Sequence, residues 1–129
     1  MSKKRELSYE ERLEKALKSL PFPIEDKKHR IKIYCTNDKV RSNQTRFEHI
    51  VQERHGLTIA DIESIPRKIN TSDMEQDKRR KSTYNLYIKR NTVVGGYIQI
   101  SLDFDYKGSN KAKVKTIFVT SKHKRRSGK

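Results

Sequence analysis

The sequence predicts an α+β fold in which N-terminal helices pack on one face of a C-terminal antiparallel β-sheet, arranged as a meander. Two observations carry this prediction. Before residue 66, apolar residues recur at helical spacing behind capping boxes, and from residue 84 they alternate with polar residues, as in half-buried strands. Helices that precede the strands, rather than alternate with them, are typical of α+β domains.

The first predicted helix covers residues 8–20. Ser8 and Glu11 form a capping box at its start, apolar residues follow at helical spacing, and Pro21 ends it. The later segment RIKIYC, residues 30–35, alternates apolar and basic residues. This segment fits either a short strand or an extended tether.

The second predicted helix contains the stretch RFEHIVQERHG. Thr45 and Glu48 form its capping box, and Gly56 is suited to a left-handed conformation at its end. The helix therefore covers residues 46–55, about three turns.

A third, shorter helix is predicted behind a capping box of Thr58 and Asp61, with Pro66 ending it. The composition then becomes polar over residues 69–81, which close with the run KRRK. This stretch is predicted to be a mobile loop rather than a packed element.

Three strands complete the predicted meander: residues 84–89, 97–105 and 114–120, joined by turns at 93–96 and 107–110. The apolar face of the middle strand is formed by Ile98, Ile100, Leu102 and Phe104. The last strand is rich in β-branched residues, which favour strands.

The 129-residue chain carries 31 Lys and Arg against 16 Asp and Glu, a formal net charge of +15 at pH 7. Such an excess repels itself unless an anionic partner or counterions neutralise it. RNA is the predicted partner. Composition alone also fits DNA, an anionic membrane surface or an acidic partner protein such as an inhibitor.

The single cysteine, Cys35, excludes an internal disulfide and a Cys-based zinc site. The sequence predicts no metal and no cofactor, and it contains neither a phosphate-binding loop nor a dinucleotide-binding glycine pattern. No apolar run approaches the roughly 20 residues that span a bilayer. These features predict a protein of the reducing cytoplasm without a membrane partner.

His49 and His55 both fall in the second predicted helix, where positions 49 and 55 are about 240° apart. The two imidazoles therefore border one cleft only if His55 leaves regular geometry beside Gly56. One interpretation is structural, with His49 half-exposed and His55 interacting with the helix dipole. The other is acid–base chemistry, since the unperturbed pKa of histidine lies close to 7. The spacing matches no zinc-binding helix.

The order of RFEHIVQERHG, IPRKI and the strands NLYIKR, YIQISLDF and VKTIFVT resembles a ribonuclease superfamily. Its members are the metal-independent, BECR-type enzymes related to barnase, EndoU, colicins and RelE toxins, including small versions carried by phages and mobile elements. The resemblance covers residues 45–122 and rests on element order and scattered residues. It implies an active site on the open face of the sheet, facing residues that the preceding helices deliver.

The resemblance assigns catalytic candidates residue by residue. His55 or His49 is the helix-borne general acid or base, with His55 preferred. Lys89 is the strand-borne lysine near the phosphate, and Thr116 is the hydroxyl residue on a late strand. Phe118 is the aromatic residue that stacks a base. For Lys89 and Thr116 the alternatives are a solvated strand residue and ordinary β-propensity.

Basic and aromatic residues around these positions are the predicted nucleic-acid contacts. They are Arg54, Arg67, Lys68, Arg90, Tyr97, Lys113, Lys115 and Phe118. The cations are expected to hold the phosphate backbone without reading sequence, and the aromatic rings offer stacking surfaces. For each cation the alternative role is solubility.

The sequence thus predicts a small ribonuclease that cuts RNA, such as tRNA or mRNA, by transesterification from the 2′-hydroxyl without a metal. The alternatives are a non-catalytic nucleic-acid-binding accessory protein and a module that binds an acidic protein. The predicted segments are residues 1–44, an N-terminal helix with an extended basic segment; 45–122, the nuclease core; and 123–129, a disordered basic tail.

Overall fold

The described part of the chain comprises residues 8–53, 56–104 and 110–121 of a computed structural model. Its helices are α1 (Tyr9–Lys18), α2 (Arg46–Glu53) and α3 (Ile59–Lys68), followed by a 3-10 turn at Ile69–Thr71. Its strands are β1 (Ile24–Asp26), β2 (Ile31–Tyr34), β3 (Lys39–Arg41), β4 (Gln44–Thr45), β5 (Asp73–Gln76), β6 (Thr83–Lys89), β7 (Tyr97–Asp103) and β8 (Lys111–Thr120). The α+β class is confirmed.

Within the described residues, six strands form one sheet in the order β1-β2-β8-β7-β6-β5, and β3 pairs with β4 beside it. The segment β5 to β8 is antiparallel throughout. The prediction of a purely antiparallel meander is wrong, because β2 runs parallel to β8, with Lys32 opposite Lys111. This pairing places the buried Ile33 opposite the buried Ala112, so the apolar side of β2 joins the core.

Local capping chemistry begins the helices as predicted. Ser8 and Glu11 exchange side-chain and backbone hydrogen bonds at the start of α1, and Thr58 and Asp61 do so at the start of α3. At α2, the backbone N–H of Thr45 donates to Glu48 Oε1 over 2.9 Å. The Asn37 side chain accepts from the N–H of Phe47 as well, which satisfies a further orphan donor.

Pro66 does not end the third helix, which continues to Lys68 and into the 3-10 turn. A proline inside a helix costs about 3 kcal/mol. The neighbours Ile65 and Ile69 are 2% and 1% exposed, and burying each isoleucine contributes about 1.5–3 kcal/mol. The apolar burial offsets the lost backbone hydrogen bond.

The prediction of a mobile loop over residues 69–81 is wrong in its first half. That part forms the 3-10 turn and the edge strand β5, which pairs with β6 through Met74 opposite Leu86. The sequence is polar because an edge strand leaves its side chains partly exposed. Backbone pairing, rather than apolar alternation, holds this strand.

The two faces of the sheet differ sharply in composition. The inner face packs against the helices and carries Leu86, Ile88, Ile98, Ile100 and Ile117, which are each at most 2% exposed. The outer face carries the alternate residues, among them Asn85, Tyr87, Gln99, Ser101, Thr116 and Phe118. The predicted apolar inner side of the middle strand is thereby confirmed.

A β-bulge in β8 fixes which residues reach the outer face. Ser101 pairs with Thr116 and the next residue, Leu102, pairs with Val114, so Lys115 is an extra residue without a direct partner. Because of this insertion, Val114 and Ile117 both point into the core although they are three positions apart, a spacing that puts residues of a regular strand on opposite faces. Thr116 consequently lies on the outer face.

Several expectations concern residues beyond the described ranges. Arg54, His55 and the basic tail lie outside them, as does most of the predicted turn at 107–110.

Among the described helices, none combines the length and apolar character that crossing a bilayer requires. Burial raises the pKa of the Cys35 thiol to about 12, so this cysteine is a packing residue rather than a nucleophile.

Candidate nucleic-acid interface

The outer face is polar but well buried at its centre. Directly opposite residues across the strands form two rows: Thr116, Ser101 and Asn85, and next to it Phe118, Gln99 and Tyr87. Asn85, Gln99 and Tyr87 are only 7%, 5% and 1% exposed. Polar side chains in such a position stabilise a fold only when their hydrogen-bonding groups are satisfied.

The two rows differ in how well they satisfy this requirement. In the first row, Ser101 Oγ donates to Asn85 Oδ1 over 2.8 Å. In the second, the buried Gln99 Oε1 accepts no hydrogen bond from the described residues. Burial and the nearby Glu75 and Asp77 carboxylates raise the pKa of Tyr87 to about 12, so its hydroxyl stays neutral at pH 7.

Two lysines of β8 bring positive charge to this face. The bulged Lys115 extends its side chain across the sheet, and its Nζ lies 3.3 Å from Oγ1 of Thr83 in β6. Lys113, on the adjacent row, donates from Nζ to Asp38 Oδ2 over 2.9 Å. Both lysines are partly buried, so their charges lie closer to the sheet than those of extended surface lysines.

Asp38 joins this lysine to the helix layer. Its carboxylate accepts from Arg46 Nε over 2.9 Å and from Arg46 Nη2 over 3.0 Å, in addition to Lys113. These hydrogen bonds, above all those from Arg46, hold the pKa of Asp38 well below its usual range. Two cations share one carboxylate, so the cluster of Asp38, Arg46 and Lys113 keeps a net positive charge at neutral pH.

Helix α2 runs along the free edge of the last part of β8. Arg46, at its start, donates from Nη1 to the carbonyl oxygen of Lys115 over 2.9 Å. Gly56, just past its end, adopts a φ of +93°, and a Cβ added there would lie 3.8 Å from Val119 Cβ. The helix therefore follows the strand from Lys115 towards Val119.

His49 lies three residues after Arg46 and so projects from the same side of α2, one turn further along β8. It is half-buried. The other predicted histidine, His55, lies outside the described residues, so the structure gives no position for the preferred catalytic candidate.

Lys89 lies on the outer face with Thr116, but the two residues are far apart on it. Lys89 pairs with Tyr97, whereas Thr116 pairs with Ser101, four residues along the same strand. This offset corresponds to roughly 13 Å along β7, and β6 and β8 are about 10 Å apart across it. Lys115, the residue next to Thr116, is the nearer cation. Tyr97 belongs with Lys89 at the far end of the face.

Arg90 is held within the fold. Its guanidinium pairs with Asp61 over 2.9 and 3.0 Å, and each side chain of the pair is 9% exposed. It also donates to the carbonyl oxygens of Gly95 and Gly56. Arg90 thereby joins the start of α3 to the turn after β6.

Arg67 and Lys68 lie in the last turn of α3. This helix packs its Ile65 against Ile100 and Ile117 on the inner face of the sheet. The two cations therefore belong to the helix layer, on the side of the sheet opposite Thr116 and Phe118.

Sequence reasoning did not anticipate three features. These are the cluster around Asp38, the buried amides of the outer face, and a hydrogen bond between His29 Nδ1 and the fully buried Asp26 over 2.6 Å. Asp26 also accepts from the backbone N–H groups of Lys28 and His29, and so closes the β1–β2 hairpin. The interior polar positions in NLYIK and YIQIS were the available signal for the amides.

Comparisons with protein-family models, with curated proteins and with solved structures find no match to this chain. The resemblance to BECR-type ribonucleases therefore stays a prediction from the sequence.

Proposed function

We propose that the protein binds single-stranded RNA on the outer face of its sheet. The observation that carries the proposal is a buried polar face, with an orphan acceptor at Gln99, bordered by the partly buried Lys113 and Lys115. The net charge of +15 supplies the long-range attraction to phosphate.

The chemistry of the face matches the exposed groups of an unpaired strand. When RNA binding turns the Gln99 side chain outward, its Oε1 accepts from an exocyclic amine or a 2′-hydroxyl, which satisfies an oxygen that is otherwise buried without a partner among the described residues. Lys115 and Lys113 hold phosphates at the edge of the same face. Thr116 follows Lys115 in β8, and its row continues through Ser101 to Asn85, so two hydroxyl groups and an amide lie beside the lysines.

Binding is tested by fluorescence anisotropy with an unstructured RNA in chelator. Lys115→Gln and Gln99→Met are each expected to weaken binding about tenfold, which corresponds to roughly 1.4 kcal/mol. The matched control is Lys18→Gln, which removes the same charge from an exposed position on α1. Equal losses in Lys115→Gln and Lys18→Gln would reject the outer face as the binding surface.

Metal-independent RNA cleavage is a second candidate function, favoured by the course of α2 along the edge of β8. His49 lies one turn after Arg46, whose guanidinium contacts the carbonyl oxygen of Lys115, next to Thr116 in sequence. A neutral imidazole can take the proton of a 2′-hydroxyl, while Lys115 stabilises the charge that develops on the phosphate. The 2′-oxygen then forms a bond to phosphorus, the bond from phosphorus to the 5′-oxygen breaks as that oxygen takes a proton from water, and a 2′,3′-cyclic phosphate forms.

Cleavage is tested with the purified protein and total RNA in chelator. Activity with 2′,3′-cyclic phosphate ends is expected for the wild type, and a loss of at least about a hundredfold for His49→Ala or His55→Ala, in line with general acid–base contributions. Thr116→Val removes the hydroxyl and keeps the shape of the side chain, so a loss of cleavage in this variant is due to the missing hydroxyl. Binding without cleavage by the wild type leaves the first function and removes the second.

A further inference from the structure

The turn between β5 and β6 carries four consecutive cations, Lys78, Arg79, Arg80 and Lys81, here called the cationic tip. All four side chains are exposed. Within the described ranges none of them forms an ion pair with a carboxylate. Among the described residues, the tip is thus a concentrated positive charge whose side chains form no ion pair.

The backbone of the cationic tip is held in one conformation by local hydrogen bonds. Asp77 Oδ2 accepts from the N–H groups of Arg79 and Arg80 over 3.2 and 3.0 Å. The N–H of Thr83 donates to the carbonyl oxygen of Arg80, and Gln76 Nε2 donates to that of Lys81. The Asp77 carboxylate, which directly precedes the tip, is therefore used to shape the turn, and the cations lose little backbone entropy on binding.

The cationic tip adjoins the outer face. Thr83, whose N–H holds the tip, also contacts Lys115 Nζ through its hydroxyl. In the adjacent row, Lys113 lies opposite Asp103, which in turn lies opposite Thr83. The positive charge of Lys115 thus reaches the base of the tip, in a row that also carries the acidic Asp103.

From this arrangement we infer that the cationic tip binds the phosphates of a duplex segment. The protein would then bind a folded RNA in which a base-paired stem lies next to an unpaired segment. The inference rests on the proposed RNA-binding function. Four cations in one tight turn need closely spaced phosphates. A duplex has about one phosphate per 1.7 Å of axis, twice the density of either strand alone. A tip fixed by its backbone also fits a rigid double helix better than a flexible strand.

The experiment measures binding of two RNAs with equal numbers of phosphates, a blunt duplex and an unstructured single strand, over a series of salt concentrations. The tip variant combines Lys78→Gln, Arg79→Gln and Arg80→Gln. Its control combines Arg12→Gln, Lys15→Gln and Lys18→Gln, which removes the same charge from exposed positions on α1. Urea unfolding verifies that both variants fold.

For the duplex, the slope of log K against log salt is expected to fall in magnitude by about 2 to 3 in the tip variant, close to 0.9 for each lost phosphate contact. The control variant is expected to keep the wild-type slope, and single-strand binding is expected to change equally in the two variants. Equal slopes for the duplex in both variants would overturn the inference.

Further outcomes separate this inference from the proposed function. If Lys115→Gln weakens single-strand binding while the tip variant keeps duplex binding, the outer face stands and the tip inference fails. If the wild type binds neither RNA, both fail. If the tip variant, but not the control variant, loses single-strand and duplex binding to the same degree, a duplex-specific role of the tip is also contradicted.

Discussion

The inner and outer faces of the sheet are built from alternate residues of the same strands, yet their burial has opposite consequences. On the inner face, Ile98 and Ile100 remove apolar surface from water, which stabilises the fold. On the outer face, Gln99 between them is almost as buried, but its side-chain oxygen loses water without gaining a partner within the described part of the chain. One face contributes stability, whereas the other keeps an unsatisfied binding group.

The largest expected effect comes from truncating the inner face. Ile100→Ala should lower the free energy of unfolding by about 2–5 kcal/mol, since it removes buried methyl groups and leaves a cavity in a close-packed core. Urea unfolding measures this change, with Thr116→Ala on the outer face as the comparison at a cost below about 1 kcal/mol. Similar losses at both positions would remove the distinction between the faces.

A smaller effect of opposite sign is expected on the outer face. Gln99→Met keeps the length of the side chain and deletes the orphan oxygen, so the free energy of unfolding should rise by about 1 kcal/mol. The same variant should bind RNA less well. A protein that becomes less stable by more than about 1 kcal/mol would mean that the Gln99 amide is bonded within the fold.

The smallest effect is the pH dependence of the cluster at the edge of the outer face. The pKa of Asp38 is lower in the folded protein than its unfolded value of about 3.9, so its stabilising contribution is complete above that pH. The contribution is lost as the pH falls below about 4 through the folded-state pKa. Asp38→Asn should therefore show a flatter stability profile between neutral and acid pH.

The control for this prediction is Glu25→Gln. Glu25 lies on β1 with an exposed side chain. Thermal unfolding at a series of pH values should leave the acid profile of this variant close to that of the wild type. A wild-type profile in Asp38→Asn would show that the ion pairs with Arg46 and Lys113 contribute nothing measurable.

Local chemistry in the sequence determined most of the secondary structure. Capping boxes act over three residues and strand alternation over two, so the starts of α1 and α3 and the strands β6, β7 and β8 follow from short segments. Pro66 misled the prediction because its local cost is exceeded by burial of Ile65 and Ile69, which only packing against the sheet supplies.

The sequence by itself determined a basic α+β protein with an apolar sheet face and a polar one. Tertiary structure alone decided the parallel pairing of β2 with β8 and the bulge that sets Lys115 apart. It also joined Lys113 to Asp38, 75 residues away, and Arg46 to the backbone of Lys115, 69 residues away. Such contacts depend on strand register and helix docking, which the burial of the whole core selects and no short segment encodes.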